Sequence, residues 1–370
     1  MAQRTRVGIV FGGASSEHDV SCMTAGGVSR AIDADRFDVI GIGITPSGRW
    51  VQVPADELRA LRKQGDELPR LSESRATAVL LPGEAGGARV ATIEGDRLVD
   101  VHDFDVAFTL LHGPFGEDGT IQGMFELLGL RYVGSGVAAS ANGMDKDLMK
   151  RHLSASGLPG CRFVTVTDRQ WSQQREQSID RIAKLGYPLF VKPARGGSSV
   201  GITKVDSADD LEQAVLFAQK FDPKLVVEEA VLGAREIEFA VLGGRGAAPR
   251  VSLPGEIVMR EAGAFYDFDA KYVSDDDAAL LVPTEMDDDL RRRAADLAAR
   301  TFEAMGAEGL ARVDLFITAD GHVLVNEINT MPGFTHISMF PSLWAASGLD
   351  YTTLITDLID QALERPVGLR

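Results

Sequence analysis

Short apolar runs, each closed by glycine, organise the first third of the chain. Residues 6–13, RVGIVFGG, predict a buried strand entering a glycine turn, with Ser15 and Ser16 as candidate N-caps of a helix near 18–31. FDVIGIGIT predicts the next strand. DVAFTLLHG predicts another, leading through PFGEDG into the amphipathic helix of TIQGMFELLG. Between 53 and about 100 the periodicity fades among scattered proline, glycine and charge, and this stretch reads as an insertion decorating the unit. Alternating strands and helices of this kind predict an α/β unit with a doubly wound parallel sheet to about residue 140.

The pattern then changes. MDKDLMKRHLSAS predicts a helix near 144–156, stopped by Gly157 with Pro159 behind it. From there to about 232 the order is strand, helix, strand, glycine loop, strand, helix, strand, a compact α+β unit ending in LVVEEAVLG. The remainder predicts several strands, a long polar loop over about 260–278, a helix near 287–305, a hairpin, and a final helix. That helix repeats Leu354, Ile355, Leu358, Ile359, Ala362 and Leu363 as one buried stripe. At 370 residues the chain exceeds what one core supports. Boundaries are expected near 143/144 and 232/233, giving units 1–143, 144–232 and 233–370.

Composition narrows the function classes. A formal net charge of −16 repels nucleic acid and anionic membrane, and no basic patch of useful length interrupts it. Two cysteines, Cys22 and Cys161, build no disulfide framework, and no His/Cys cluster has zinc spacing, which fits a reducing cytoplasm. No stretch reads as a signal peptide or membrane span.

The chemistry concentrates in ARVDLFITADGHVLVNEIN, residues 311–329. Asp320-Gly321 between two β-rich runs predicts a hairpin whose two-residue loop pairs Ala319 with His322. Asp314 then falls opposite Glu327 and Arg312 opposite Asn329, all four on one face. Facing carboxylates repel, so a positive group belongs between them. Two carboxylates and an amide oxygen suit Mg²⁺ or Mn²⁺, and Arg312 adds a fixed cation for anionic substrate groups. The alternative is a solvated face where the repulsion is weak, but Val313, Leu315, Val325 and Ile328 crowd the same strands and favour the metal. NTMPGF follows, where the Gly333 N–H is available to a developing oxyanion.

A second polar stretch, KPARGGSSVG, follows the apolar run 188–191 and has too little apolar surface to pack itself. Beside a metal site, its backbone N–H groups at Gly196, Gly197, Ser198 and Ser199 suit nucleotide phosphates, with Lys192 and Lys146 supplying charge. It is not a Walker A loop, since no GKS or GKT occurs, and GIVFGGAS is not a GxGxxG dinucleotide fingerprint.

FGGASSEHDVS, LLHGPFGEDGTIQG, MDK, VKPARGGSSVG, FYDFDAKY, ARVDLF and NEINTMPGFT stand in the order, and with roughly the spacing, of the D-alanine–D-alanine ligases of the ATP-grasp superfamily. The resemblance spans nearly the whole chain outside 53–100. It implies three α/β domains, with ATP between the central and C-terminal ones, two Mg²⁺ or Mn²⁺ ions on Asp314, Glu327 and Asn329, and phosphate contacts from Lys146, Lys192 and Lys271. It implies an adenine hinge at Glu228, Glu229 and Val231, and a ribose contact at Glu236, where GAREIE carries an extra residue. D-alanine is the implied substrate. Glu17 would bind the first ammonium, Ser198 and Tyr272 would complete a hydrogen-bond triad with it, and His112, Ser338 and Met339 would line the substrate site. Arg312 and the Gly333 N–H would hold the tetrahedral oxyanion, and the 260–278 loop would be a lid over the substrates. A cytoplasmic homodimer serving peptidoglycan synthesis, and with it cell shape, completes the expectation.

Plainer readings stand beside several of these roles. Glu17 is also a first-turn glutamate favoured by the helix dipole, His112 a hydrogen-bonded loop residue, and Ser338 a helix cap. Competing functions are a D-alanine–D-lactate ligase, disfavoured by the Lys271-Tyr272 pair, a nucleotide-binding regulator without turnover, and a dinucleotide-dependent dehydrogenase.

Overall fold

The computed structural model describes residues 4–366 except 66, 85, 245 and 260–277. The first unit contains β1 (Thr5–Gly12), α1 (His18–Ala31), β2 (Phe37–Ile44), β3 (Trp50–Val53), α2 (Ala55–Ala60), β4 (Ala78–Pro82), β5 (Ala88–Glu94), β6 (Arg97–Phe104), β7 (Val106–Thr109), α3 (Thr120–Leu128) and β8 (Arg131–Tyr132). Its main sheet has the order β3-β2-β1-β7-β8; β1 runs parallel to β2 and β7, β7 parallel to β8, and only β3 is antiparallel, at the edge. The expected parallel sheet is therefore present.

The stretch 53–100 is more ordered than its sequence suggests. β4, β5 and β6 form a three-stranded antiparallel sheet. Its Ala78, Val90 and Phe104 pack with Val10, Ile42, Ile121 and Phe125, covering one face of the main sheet together with α3. At a tight point Gly8 leaves room for Phe104, since a Cβ there would stand 2.7 Å from its ring. The candidate caps shift as well. Glu17 occupies the N-cap of α1, while the Ser15 hydroxyl donates to the His112 carbonyl at 3.1 Å.

The single helix expected over 144–156 is two: α4 (Val137–Met144) and α5 (Lys146–Ala155). The break is Asp145, whose carboxylate accepts from the N–H groups of Asp147 and Leu148 and so starts a new helix. The stop at Gly157 holds, with φ of 72°. There follow β9 (Phe163–Thr167), α6 (Asp168–Gln173), α7 (Arg175–Ala183), β10 (Leu189–Pro193), β11 (Thr203–Val205), α8 (Leu211–Ala218) and β12 (Lys224–Glu229). Their antiparallel sheet, β11-β10-β12-β9, closes a core with Trp171, Ile182, Leu211 and Val215.

The last third comprises β13 (Arg235–Gly243), β14 (Arg250–Val251), β15 (Gly255–Met259), β16 (Ala278–Leu281), α9 (Asp288–Ala304), β17 (Gly309–Ile317), β18 (Val323–Asn329), α10 (Met339–Ala346) and α11 (Tyr351–Glu364). Strand alternation decides what faces where. Ile237, Phe239 and Val241 of β13 and Ala311, Val313 and Leu315 of β17 pack on Ala294, Leu297 and Phe302 of α9, leaving the even-numbered residues to the other face. α10 is a short helix the apolar pattern does not single out. The stripe on α11 is buried as predicted, but against the first sheet: Leu354, Ile355, Leu358 and Ile359 share a core with Val7, Ile9, Phe11 and Val28. Thr352 Oγ1 donates to the Ala31 carbonyl at 2.8 Å, and Arg36 pairs with Asp360 at 2.8 Å across the same junction. No helix among the described residues is long and apolar enough to cross a membrane.

Candidate active site

The β17–β18 hairpin reaches its predicted pairing by a route the sequence does not show. Gly321 N–H donates to Thr318 O at 2.9 Å and Thr318 N–H to His322 O at 3.0 Å, so the loop has three residues, Ala319 to Gly321, and Ala319 does not pair with His322. Gly321 takes the left-handed conformation, φ 80°, that such a turn demands. The register near the turn is consequently one residue from the expected one, with Ile317 facing Val323 and Leu315 facing Val325. A bulge then leaves Asn326 unpaired and restores the register, placing Asp314 opposite Glu327 and Arg312 opposite Asn329. The two departures cancel.

β13 lies on the other side of β17, and Glu238 faces Asp314 there. Glu238, Asp314 and Glu327 therefore form one row across three strands, of which the sequence reading found only two members. The signal was the alternation Glu236-Ile237-Glu238, which puts both glutamates on one face. Protein cations hold the row together. Arg312 Nε and Nη2 lie 2.7 Å from the two Asp314 oxygens, and Nε lies 3.1 Å from Glu238. Lys146 Nζ lies 3.5 Å from Glu327. The positive group that facing carboxylates call for is thus supplied in part by the protein's own Arg312 and Lys146. Burial works against the Arg312 charge, but Asp314 and Glu238 outweigh it and raise its pKa well above the ordinary value. Asn329 uses its amide nitrogen toward Asp314, at 3.0 Å.

These residues form one wall of a cleft of about 410 Å³. Lys146, Lys192 and the loop Gly196, Gly197, Ser198 and Ser199 line it, as do Glu228, Glu229, Val231, Glu236, Glu17, His112 and Gly333. Ser198 and Ser199 hold positive φ of 49° and 61°, unusual for residues with a Cβ. Lys146 Nζ ties the loop down by donating to Gly196 O at 2.9 Å. Arg195 turns away and makes a two-pronged pair with Asp222, 3.0 and 2.7 Å, bracing the loop's base.

Glu228 is 2% exposed and bridges two lysines, Lys192 and Lys150, the latter at 2.7 Å. Burial favours its neutral form, yet the two ammonium groups prevail and bring its pKa down to about 2. Glu229 instead turns its carboxylate to Arg162, whose Nε donates at 2.7 Å and whose backbone N–H donates at 2.8 Å.

On the opposite wall the Ser198 hydroxyl donates to Glu17 at 2.6 Å, joining the glycine loop to the first turn of α1. His112 Nδ1 donates to the Met331 carbonyl at 3.2 Å, which leaves Nε2 as an acceptor; this buried atom has no hydrogen-bond partner among the described residues. Burial lowers the pKa of His112 against the pull of Glu17. Glu117, absent from the sequence-derived site, lines the cleft and accepts from Gly113 N–H at 2.6 Å. Burial and then the nearby Glu17 push its pKa up to about 8. The folded state therefore binds the extra proton between the ordinary carboxyl range and pH 8, so stability falls as pH rises through that window. Glu117→Gln keeps an acceptor for Gly113 and removes the titration. The Tm difference, variant minus parent, should grow more positive from pH 5 to pH 8.5; an unchanged difference would refute the assignment.

Two expected substrate contacts are not in the lining. Ser338 precedes α10 and makes no side-chain cap; its hydroxyl contacts Thr335 Oγ1 at 2.7 Å, near Gly333. Met339 is a core residue, 6% exposed, packed on Gly255. Lys271, Tyr272 and the expected lid lie outside the described residues.

The cleft's charge is informative. Its described lining carries seven carboxylates, Glu17, Glu228, Glu229, Glu236, Glu238, Asp314 and Glu327, and the Glu117 carboxyl, which its raised pKa keeps largely protonated at neutral pH, against four cations, Lys146, Lys192, Lys204 and Arg312. A polyanionic ligand entering this surface needs added cations, and the donors available for them are oxygens, the type that hard divalent ions take. No group of three or more His, Cys, Asp or Glu that could hold a metal ion occurs among the described residues, but the Asn329 side chain, 3.0 Å from Asp314, brings an amide oxygen to the same face. The residues present fit Mg²⁺ or Mn²⁺.

Two family models match the chain: D-ala D-ala ligase N-terminus over residues 6–135, which takes in the 53–100 stretch, and D-ala D-ala ligase C-terminus over residues 152–360. The chain is 52% identical over 371 residues to a D-alanine–D-alanine ligase of Arthrobacter sp. (strain FB24), covering 99% of this chain and 96% of the relative. It is 47% identical over 375 residues to one from Mycobacterium avium (strain 104), covering 100% and 99%. Among solved structures, the D-alanine-D-alanine ligase from Coxiella burnetii superposes with a TM-score of 0.81 at 32% identity, covering 98% of this chain and 95% of that one. The VanG D-Ala:D-Ser ligase from Enterococcus faecalis superposes with a TM-score of 0.82 at 33% identity, covering 97% and 100%.

Proposed function

The chain belongs to the D-alanine–D-alanine ligase family of ATP-grasp fold, and from that premise we propose that it joins two D-alanine molecules at the expense of ATP, for peptidoglycan synthesis. One observation carries the reading. A single cleft gathers the glycine loop, Lys146, Lys192, Arg312 and the carboxylate row, and the Glu17–Ser198 bond closes it from the first unit. The first D-alanine carboxylate attacks the γ-phosphorus as the bond to ADP breaks, giving an acyl phosphate. The second D-alanine, as free amine, attacks the acyl carbon; the tetrahedral oxyanion collapses with loss of phosphate.

Positioning and charge neutralisation are what this chemistry asks of a protein. The loop Gly196–Ser199 and Lys146 cradle phosphate oxygens, and Lys192 neutralises the transferring group. Glu228, Glu229 and Val231 meet the adenine and Glu236 the ribose. Glu17, fixed by Ser198, receives the first ammonium, with His112 beside it. Arg312 and the Gly333 N–H face the oxyanion. Asp314, Glu327 and Asn329 would hold two Mg²⁺ or Mn²⁺, which when bound neutralise phosphate charge. Lys271, Tyr272, Ser338 and Met339 enter this scheme from the family resemblance.

The second unit's own core, drawn from residues between Val166 and Val227, supports a separate central domain, while Met149, Leu153 and Leu158 of the expected 144–232 unit pack in the core of the last third; the division near 143/144 and 232/233 rests on the sequence pattern. Two unpaired, buried cysteines support a cytoplasmic location; homodimerisation rests on the resemblance alone. The test offers the protein ATP, Mg²⁺ and equal D-alanine, D-serine and D-lactate, then measures ADP and identifies products by mass. D-alanyl-D-alanine is the expected main product. Serine or lactate product would overturn the acceptor, and no ADP above background would leave a nucleotide-binding regulator. Tight NAD binding would instead indicate a dehydrogenase.

A further inference from the structure

Lys150 has no role in the reaction as drawn and does not line the cleft, yet its side chain is only 6% exposed. From α5 it reaches two other elements. Its Nζ is 2.7 Å from Glu228 on β12 and donates at 3.3 Å to the carbonyl of Asn326, the bulge residue on β18. The other Glu228 oxygen holds Lys192, which does line the cleft. Cys161 and Glu327 also face Lys150 among the described residues. One enclosed carboxylate thus serves two lysines, one inside the cleft and one behind it.

We propose that Lys150 is a positioning residue: it keeps Glu228 neutralised, so that Lys192 can leave that carboxylate for a nucleotide phosphate. The inference rests on the triphosphate reading of the cleft. Glu228 is 2% exposed, and water cannot replace a departing cation there. Were Lys192 its only partner, transfer of that ammonium to a phosphate would strand a buried charge, among the costliest changes a protein interior undergoes. With Lys150 in place the carboxylate keeps one ion pair throughout. Lys150 does not make the same exchange, because it lies behind the cleft wall and is anchored to the Asn326 carbonyl.

The test compares ADP with adenosine by titration calorimetry, so that the affinity ratio isolates the phosphate contacts. Lys150→Met should lower the ADP-to-adenosine ratio by about tenfold to a hundredfold, the range of one charge-assisted hydrogen bond, because Lys192 is then held on Glu228. Lys150→Arg retains the charge and should stay near the parent. Lys150→Met combined with Glu228→Gln removes both charges of a buried pair, which proteins tolerate better than removing one, and should recover the ratio. Glu228→Gln alone frees Lys192 and should raise it. Equal loss of ADP and adenosine in Lys150→Met, no recovery in the double variant, or a ratio lowered by Glu228→Gln each overturns the proposal. If Lys150→Met does not fold, the other three variants still decide it. A parent that binds ADP no better than adenosine would overturn the reading of the cleft itself, and the proposal with it.

Discussion

Replacing Arg312 with methionine is expected to lower kcat by about a thousandfold and to destabilise the protein by about 3–5 kcal/mol. The two losses have separate causes. Arg312 holds Asp314 with two nitrogens and Glu238 with one of them, and the two carboxylates are only 8% and 5% exposed. Methionine fills the volume but takes from both anions the guanidinium that they share. On the proposed mechanism the kinetic loss comes from the missing donor at the oxyanion. Arg312→Lys separates the effects: a lysine restores charge but not the planar fork, so Tm should recover well before kcat does. Thermal denaturation with steady-state kinetics on both variants checks this. A methionine variant with parental Tm would mean that the carboxylate row is not held by Arg312.

Glu327→Ala is expected to behave in the opposite way, with activity lower by about a thousandfold, the scale of losing several kcal/mol of charge stabilisation, and the fold intact. Glu327 is the outermost of the row, 27% exposed, and its ion pair with Lys146 is 3.5 Å long. A pair this long between half-buried groups contributes on the order of 1 kcal/mol, and removal of the outer carboxylate also relieves its repulsion with Asp314. The defect should appear in cation binding itself. Mn²⁺ titrated into the parent with ADP, followed by electron paramagnetic resonance, should show tight ions that the variant loses, while Tm moves little. A variant that unfolds, or one that binds Mn²⁺ as the parent does, would count against Asp314, Glu327 and Asn329 as the metal donors.

Much of this site was legible because its residues sit where local rules are strong. Strand alternation and a hairpin turn put Arg312, Asp314, Glu327 and Asn329 on one face, and that pairing is observed. It survived a wrong turn only because the bulge at Asn326 offset an extra loop residue, and nothing local in GHVLVNE announces such an offset. Glu238 escaped because strand order, unlike alternation, is a long-range property: β13 and β17 are neighbours separated by some seventy residues of chain. Lys150 escaped for a related reason. On a helix near Asp147 and Arg151 it reads as a solvated charge, and only the approach of β12 and β18 buries it. The 53–100 stretch hid its strands because β6 is largely exposed and lacks a clear apolar face. Ser15 and Ser16 had the chemistry of caps, but the His112 carbonyl competed for the Ser15 hydroxyl.

The sharing of one core between α11 and the first sheet sets an order on biosynthesis. A ribosome adding roughly 5–20 residues per second delivers β7 and β8 tens of seconds before α11, the helix that packs on them. Meanwhile the part of the nascent first sheet that α1 leaves uncovered is open to solvent, while the middle unit, whose core is drawn from its own segments, can condense as it emerges. The first sheet therefore waits for α11 to be sealed, and a chaperone that shields such surfaces would have its longest engagement there.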